Sequence, residues 1–187
     1  MRTFVAIELS EPCRRKLAGA IESLRAAAAG VRWVGPEGAH LTLKFIGDLS
    51  QDDLPKVASA LAQVAAAARP FPFRVAGISG FPPRDKPRVV HAPVNEPSGA
   101  LAALSGAVEE ALYQAIGLPK EGRPFAAHIT LGRVRSPRDC PTIEELARAV
   151  GDADFAEVAV EAFVLMKSDL TPRGALYTPL QRFPLGA

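Results

Sequence analysis

The spacing of hydrophobic and polar positions changes several times along the chain. Arg2–Leu9, "RTFVAIEL", is a run of β-forming residues and predicts a strand. Past Ser10 the period lengthens. Leu17, Ala20, Ile21 and Leu24 recur at three- and four-residue steps, which predicts a helix with one buried stripe running to about Ala29. Ser10 is its expected N-cap, Pro12 lies in its first turn and Gly30 is its expected stop. "VRWV" is a short strand candidate. His40–Ile46 is a further strand, closed by Gly47-Asp48. Ser50 and Asp53 resemble a capping box with Asp in place of Glu, opening a helix to about Ala68. Phe71–Ile78 returns as a strand.

The same order then recurs. Arg88–Val94 predicts a strand, and Ser98 caps a helix carrying Leu101, Leu104, Val108 and Leu112 that ends at Gly117. His128–Val134 predicts a strand, and Thr142 with Glu145 forms a capping box for a helix ending near Val150 and Gly151. Phe155–Met166 reads as one long strand and Ala175–Phe183 as the last. Each half is thus strand, helix, histidine strand, helix, strand. The interval from first strand to histidine is similar in the two. Residues 1–187 are read as a single domain of two related lobes, the halves lying at roughly 1–80 and 87–187. "GFPPRDKPR", between them, carries the turn residues of a linker or hairpin. Strands alternating with helices indicate an α+β or α/β class.

Composition narrows the picture modestly. The 187 residues suffice for a hydrophobic interior without disulfides. The formal net charge of +2 permits an anionic partner without demanding one. Two cysteines, Cys13 and Cys140, form neither a disulfide framework nor a metal-ligand spacing, so a reducing, cytoplasmic setting is expected. The N-terminus does not read as a signal peptide, and no apolar run approaches the ~18 residues of a membrane span.

Only three histidines occur, and two of them open a His-x-Thr-Leu tetrapeptide: "HLTLKFIGD" from His40 and "HITLGRV" from His128. On a strand, residues two apart share a face. His40 and Thr42 therefore point one way, as do His128 and Thr130, while Leu41, Leu43, Ile129 and Leu131 point to the core. If the lobes pack by pseudo-twofold symmetry, the polar pairs meet across a cleft. Imidazoles titrate near neutral pH, so one can take a proton while the other gives one. Two threonine hydroxyls can hold the non-bridging oxygens of a phosphoryl group between them. In-line displacement at phosphorus suits this arrangement.

A metal site is the other use of paired histidines. No acidic or cysteine partner stands at a regular ligand spacing near either motif, although Asp48 remains open as a ligand, so a metal requirement is not the favoured reading. His91, in "VVHAPV", reads as a packed or cleft-wall histidine. Lys44 continues the His40–Thr42 face by strict alternation, and Arg133 falls on the opposite one from Thr130. Arg123 and Phe125, in "GRPFAAH", are candidates for a phosphate contact and a stacking contact respectively. Lys44 is a further candidate for a phosphate contact, and Trp33 a second stacking platform.

Taken together, these segments resemble the two-histidine phosphoesterase superfamily, and within it the bacterial and archaeal RNA 2′,3′-cyclic phosphodiesterases, also called 2′-5′ RNA ligases. "RTFVAIEL" resembles the family's opening strand, "VRWVGPEGAHLTLKFIGD" its first signature, "RPFAAHITLGRV" its second and "FVLMKSDLTPRGALYTPLQRFPL" its closing segment. The resemblance implies an α+β bilobal fold, with antiparallel sheets lining a central cleft and helices outside. It implies hydrolysis of RNA 2′,3′-cyclic phosphate ends to 2′-phosphomonoesters with no metal or other cofactor, and weak 2′-5′ ligation of tRNA halves as the reverse. His40 and His128 match the catalytic histidines, and Thr42 and Thr130 the phosphate-binding threonines. A monomer acting on RNA away from membranes is expected. Two departures stand out: Ala127 where relatives carry proline, and His91 where many carry an aromatic ring. Alternatives are a phosphodiesterase for a small nucleotide, such as an ADP-ribose cyclic phosphate or a 2′-5′ oligoadenylate, and a non-catalytic RNA-end binder.

Overall fold

The computed structural model describes residues 1–35, 38–82, 87–136, 140–172 and 174–186. Pro36 and Glu37 of the first signature, residues 83–86 of the inter-half segment and Arg173 of the closing segment lie outside the described residues. The fold is α+β, with strands β1 (Arg2–Glu8), β2 (Val31–Trp33), β3 (His40–Asp48), β4 (Phe71–Ala76), β5 (Ser79–Phe81), β6 (Val89–Asn95), β7 (His128–Val134), β8 (Asp154–Val160), β9 (Ala162–Thr171) and β10 (Gly174–Pro184). Helices α1 (Glu11–Ala27), α2 (Leu54–Ala67), α3 (Ala100–Ile116) and α4 (Ile143–Val150) complete it.

The strands join in one curled antiparallel sheet in the order β10-β9-β1-β3-β7-β6-β4-β8, with β2 pairing β7 and β5 pairing β6. β1 is buried from Thr3 to Ile7 because β3 and β9 flank it and both of its faces are covered. The helices are amphipathic as their spacing demands: Cys13, Leu17, Ala20, Ile21 and Leu24 are buried on α1, and Leu101, Leu104, Val108 and Leu112 on α3. α2 and α3 pack against each other and against the β10–β9 and β3 side. α1 and α4 cover the β8, β2 and β5 side.

Four local expectations change. The stretch read as one strand from Phe155 to Met166 is two, broken at Glu161. β8 is one edge of the sheet, while β9 pairs β1 near the other. Glu161 marks the corner, but Glu157 already interrupts the same run within β8, so a charged residue alone does not single out the break. Gly30 does not cap α1. The helix ends at Ala28, and the Gly30 carbonyl instead accepts the backbone N–H of Arg135, 2.8 Å away. Ser98 is not the cap of α3 either. Gly99 occupies that position with φ of +83°, and the Glu96 carboxylate accepts the N–H of Leu101. Ser50 and Asp53 do pair, the Ser50 hydroxyl accepting Asp53 N–H and donating to its carboxylate, but they close the turn just ahead of α2. The Thr142–Glu145 capping box forms as expected.

Chain order and sheet order differ in an instructive way. β4, from the first half, is sandwiched between β6 and β8 of the second. β9 and β10, from the second half, extend the sheet beyond β1 of the first.

Candidate active site

The two histidine strands are immediate neighbours. β3 and β7 run antiparallel and meet at one residue pair, Leu41 opposite Ile129, both fully buried. That register sets His40 across from Thr130 and Thr42 across from His128, a local twofold about the Leu41–Ile129 pair. All four side chains face away from the core and are half-buried. Diagonal neighbours on such a pair stand about 7–8 Å apart, enough to admit a phosphoryl group between two imidazoles.

Each imidazole is pinned in the same manner. His40 Nδ1 lies 2.9 Å from the Gly38 carbonyl, and His128 Nδ1 2.7 Å from the Ala126 carbonyl. A carbonyl can only accept, so each Nδ1 carries its proton and donates. Each Nε2 is left as the working nitrogen, a lone pair when the ring is neutral and a donor when it is charged. Burial pushes His40 down to about 4, the Gly38 bond opposing and the nearby His128 adding to the fall.

Aromatic rings flank both histidines. Phe4 stacks on His40 at 4.8 Å and Tyr177 meets it edge-on at 4.9 Å. Phe4, Ala6, Val164, Met166 and Tyr177 form a small apolar cluster beneath it, separate from the main core. On the other side Phe81 meets His128 edge-on at 4.9 Å, and His91 lies 5.2 Å from it. His91 is 6% exposed, stacks on Phe81 at 4.2 Å and is the cross-strand partner of Thr130. Burial first, and His128 second, lower its pKa to about 4. It is a wall residue of the cleft, held beside one of the two histidines.

Each tetrapeptide ends in a β-bulge. On β3, Val5 pairs Lys44 and Ala6 pairs Thr42, so Leu43 is the extra residue. On β7, Val90 pairs Gly132 and His91 pairs Thr130, so Leu131 is the extra residue. A bulge shifts the alternation of faces by one position. Strict alternation therefore misplaces the residues beyond it. Lys44 does not continue the His40–Thr42 face. It is 4% exposed beneath α3, where its ammonium donates to Glu109 (2.7 Å), Glu121 (3.0 Å) and the Pro119 carbonyl (3.0 Å). Those three acceptors occupy its three N–H groups. Phe45 takes the cleft face instead, beside Phe4 and 55% exposed. On β7 the same shift turns Gly132 inward and brings Arg133 onto the face of His128 and Thr130.

Trp33 is not a stacking platform. It is a core residue, its Nε1 donating to the Ala28 carbonyl. Its ring fills the space above Gly132, where an added Cβ would come within 2.7 Å of it. Arg123 is exposed on the approach to β7, and Phe125 is partly buried against the core. Asp48 lies at the far end of β3, across from Arg2 and near the chain's amino group. Among the described residues no group of three His, Cys, Asp or Glu side chains is placed to hold a metal ion. No helix among them is long and apolar enough to cross a membrane.

Sequence reasoning passes over Phe4, Phe45, Phe81 and Tyr177. Phe4 could be found from sequence, since it lies on the strand that pairs with the first histidine strand. Tyr177 reaches His40 only through a sheet order that no local pattern encodes.

Comparison with known proteins gives a consistent result. A family described as the 2′-5′ RNA ligase superfamily matches residues 13–172. A protein of Archaeoglobus fulgidus named RNA 2′,3′-cyclic phosphodiesterase is 34% identical over 98% of this chain and 99% of its own. One of the same name from Thermus thermophilus is 34% identical over 99% of this chain and 90% of its own. The crystal structure of TT0787 of Thermus thermophilus superposes with a TM-score of 0.81 at 31% identity, covering 99% of this chain and 98% of that one.

Proposed function

Because the chain belongs to the 2′-5′ RNA ligase superfamily, we propose that it is an RNA 2′,3′-cyclic phosphodiesterase whose paired imidazoles perform the chemistry. The observation that carries this reading is the juxtaposition of two Nδ1-pinned histidines and two threonines about the Leu41–Ile129 pair.

In the proposed reaction the cyclic phosphate sits between the rings, its non-bridging oxygens held by the Thr42 and Thr130 hydroxyls. His128 Nε2 takes a proton from water as the water oxygen bonds to phosphorus. The P–O3′ bond breaks, and His40 Nε2–H protonates the departing 3′ oxygen. The product is a 2′-phosphomonoester; His128 is left protonated and His40 neutral, and exchange with solvent resets both. Run in the same direction with an RNA 5′-hydroxyl in place of water, the same geometry forms a P–O5′ bond as P–O3′ breaks and joins ends through a 2′-5′ linkage, as with tRNA halves.

This division of labour has a consequence for charge. With its pKa lowered to about 4, mainly by desolvation, His40 is neutral at pH 7, so it must gain a proton to act as the acid. An anionic phosphate a few ångströms away favours the imidazolium. Substrate binding is then coupled to proton uptake.

The test is turnover of an RNA ending in a 2′,3′-cyclic phosphate in the presence of EDTA, with the product identified. Release of the 2′-phosphate is the expected result. Binding without turnover would leave an RNA-end binder, and release of the 3′-phosphate would reverse the bond that breaks.

A further inference from the structure

The local twofold that exchanges His40 with His128 also exchanges their outer neighbours. On β6 the cross-strand partner of Thr130 is His91, and that of His128 is Pro93. On β1 the partner of Thr42 is Ala6, and that of His40 is Glu8. Directly opposed residues have Cβ atoms about 4.5–5.5 Å apart. Glu8 shares the face of Phe4 and Ala6, which lie in the apolar cluster beneath His40, while Val5 and Ile7 turn to the main core. A carboxylate therefore stands beside one histidine, and an uncharged proline beside the other.

Glu8 is held there from across the sheet. Arg182 pairs with Val164, a member of the same cluster, and Phe183 after it is buried in the main core, so Arg182 reaches the cleft face. Its Nη1 donates to Glu8 Oε2 over 3.1 Å, bridging β9. The Arg182 and Glu8 side chains are 59% and 39% exposed, and an exposed pair of this kind adds little to stability. Among the described residues, the other titratable groups facing His40 are His128 on β7 and the Tyr177 phenol on β10. β9 contributes Val164 and Met166; its Lys167 lies across from Thr3, on the opposite face, and pairs with Asp169. Lys44 lies beneath α3, and His91 and Arg133 are on the His128 side.

While Arg182 balances the charge of Glu8, burial, the Gly38 carbonyl and His128 govern His40. One carboxylate oxygen uses only part of a guanidinium, which carries five N–H donors. An RNA phosphate entering the cleft competes for Arg182 and leaves the charge of Glu8 to His40. Pro93 can offer His128 nothing of the kind.

We propose that Glu8 is a positioning residue that makes His40 the general acid by stabilising its imidazolium, and that Arg182 holds the carboxylate in place until an RNA phosphate draws the guanidinium off. The inference rests on the phosphodiesterase reading and deepens it, because a nearly symmetric pair of imidazoles acquires a fixed acid and a fixed base.

Three histidines make the test direct, since NMR resolves each imidazole in a pH titration. Relative to wild type, Arg182→Gln moves the His40 midpoint up by about half to one pH unit, because the carboxylate loses its counterion. Glu8→Gln moves it down by a similar amount, and the double variant returns near the wild-type value. The His128 midpoint stays where it is in all three. At pH 7, kcat/KM for an RNA ending in a 2′,3′-cyclic phosphate falls about 3- to 10-fold in Glu8→Gln, the factor by which the charged fraction of His40 falls. A merely structural pair would not move the His40 midpoint in opposite directions. Coincident His40 midpoints in wild type and both single variants overturn the proposal, as does a shift confined to His128 or an unaltered kcat/KM in Glu8→Gln. An inert wild type would instead defeat the phosphodiesterase reading, and the acid role with it, whatever the titrations give.

Discussion

Replacing Lys44 with methionine separates a structural lysine from a substrate-binding one. The side chain is 3% exposed, and Glu109, its closest partner, is 23% exposed. Methionine preserves most of the buried stem and removes the charge. Glu109 then keeps only the backbone N–H of Glu121, and the Pro119 carbonyl loses its donor. Breaking a fully buried pair costs about 3–5 kcal/mol. Glu121, 65% exposed, contributes no more than a surface pair, about 0–1 kcal/mol. With water able to reach Glu109, a loss of about 2–3 kcal/mol is expected. It should appear in urea denaturation as a lower midpoint at an unchanged slope. The sign with pH is set by Glu109, whose carboxyl is held below its ordinary 4.5, first by the bond from Lys44. A depressed folded-state pKa adds stability above the unfolded value and loses it as pH falls through the folded one. The gap between wild type and variant therefore narrows on acidification below pH 4.5. Turnover of a cyclic phosphate should be unaffected under conditions where both proteins are folded. Unchanged stability together with a collapse of kcat/KM would show that Lys44 serves the substrate and that the bulge argument is wrong.

Replacing either His40 or His128 with alanine should remove orders of magnitude of turnover while circular dichroism stays native; near-full activity in one of them would end the paired mechanism. Thr42→Val and Thr130→Val should each lower kcat by about 10²–10³-fold, as loss of one oxyanion donor does, and a loss in KM alone would contradict that role. His40 and His91 are both pushed down to about 4 from an ordinary 6.5, so the unfolded chain binds more protons than the native one between those values. Stability should therefore fall as pH drops from 6.5 toward 4, and His91→Phe should flatten that slope; a variant as acid-sensitive as wild type would argue against the burial of His91. Gly132→Ala would set a Cβ 2.6 Å from Val31 and 2.7 Å from Trp33, and should cost about 1–3 kcal/mol in thermal or urea unfolding.

Much of the site is legible in the sequence because it is local. The bounds of β7 match those read from its run of β-forming residues, and a tetrapeptide occurring twice is a signal that survives without any knowledge of packing. The misplaced residues share one physical origin. A β-bulge changes which face a residue occupies without changing residue type, so an uninterrupted count puts Lys44 and Arg133 each on the wrong side. Trp33 misleads for a related reason. Its burial depends on Gly132 leaving room across the strand, a pairing that the sequence does not display. Tyr177 and Phe81 approach the histidines through contacts distant in the chain, and nothing in their own neighbourhoods marks them. His91 is a wall residue, as its apolar setting suggests, though its closeness to His128 comes only from the pairing of β6 with β7.

The interleaving of the strands bears on how the molecule could be divided. The piece 71–76 completes a surface built mostly from later residues, and the piece 162–184 completes one built from earlier residues. A peptide ending near residue 80 would carry an orphaned strand and lack two others, and its complement would be short in the mirror-image way. His40 and His128 therefore cannot be supplied by independently folded fragments, and a circularly permuted chain opened between them would have to restore both exchanges before either imidazole found its place.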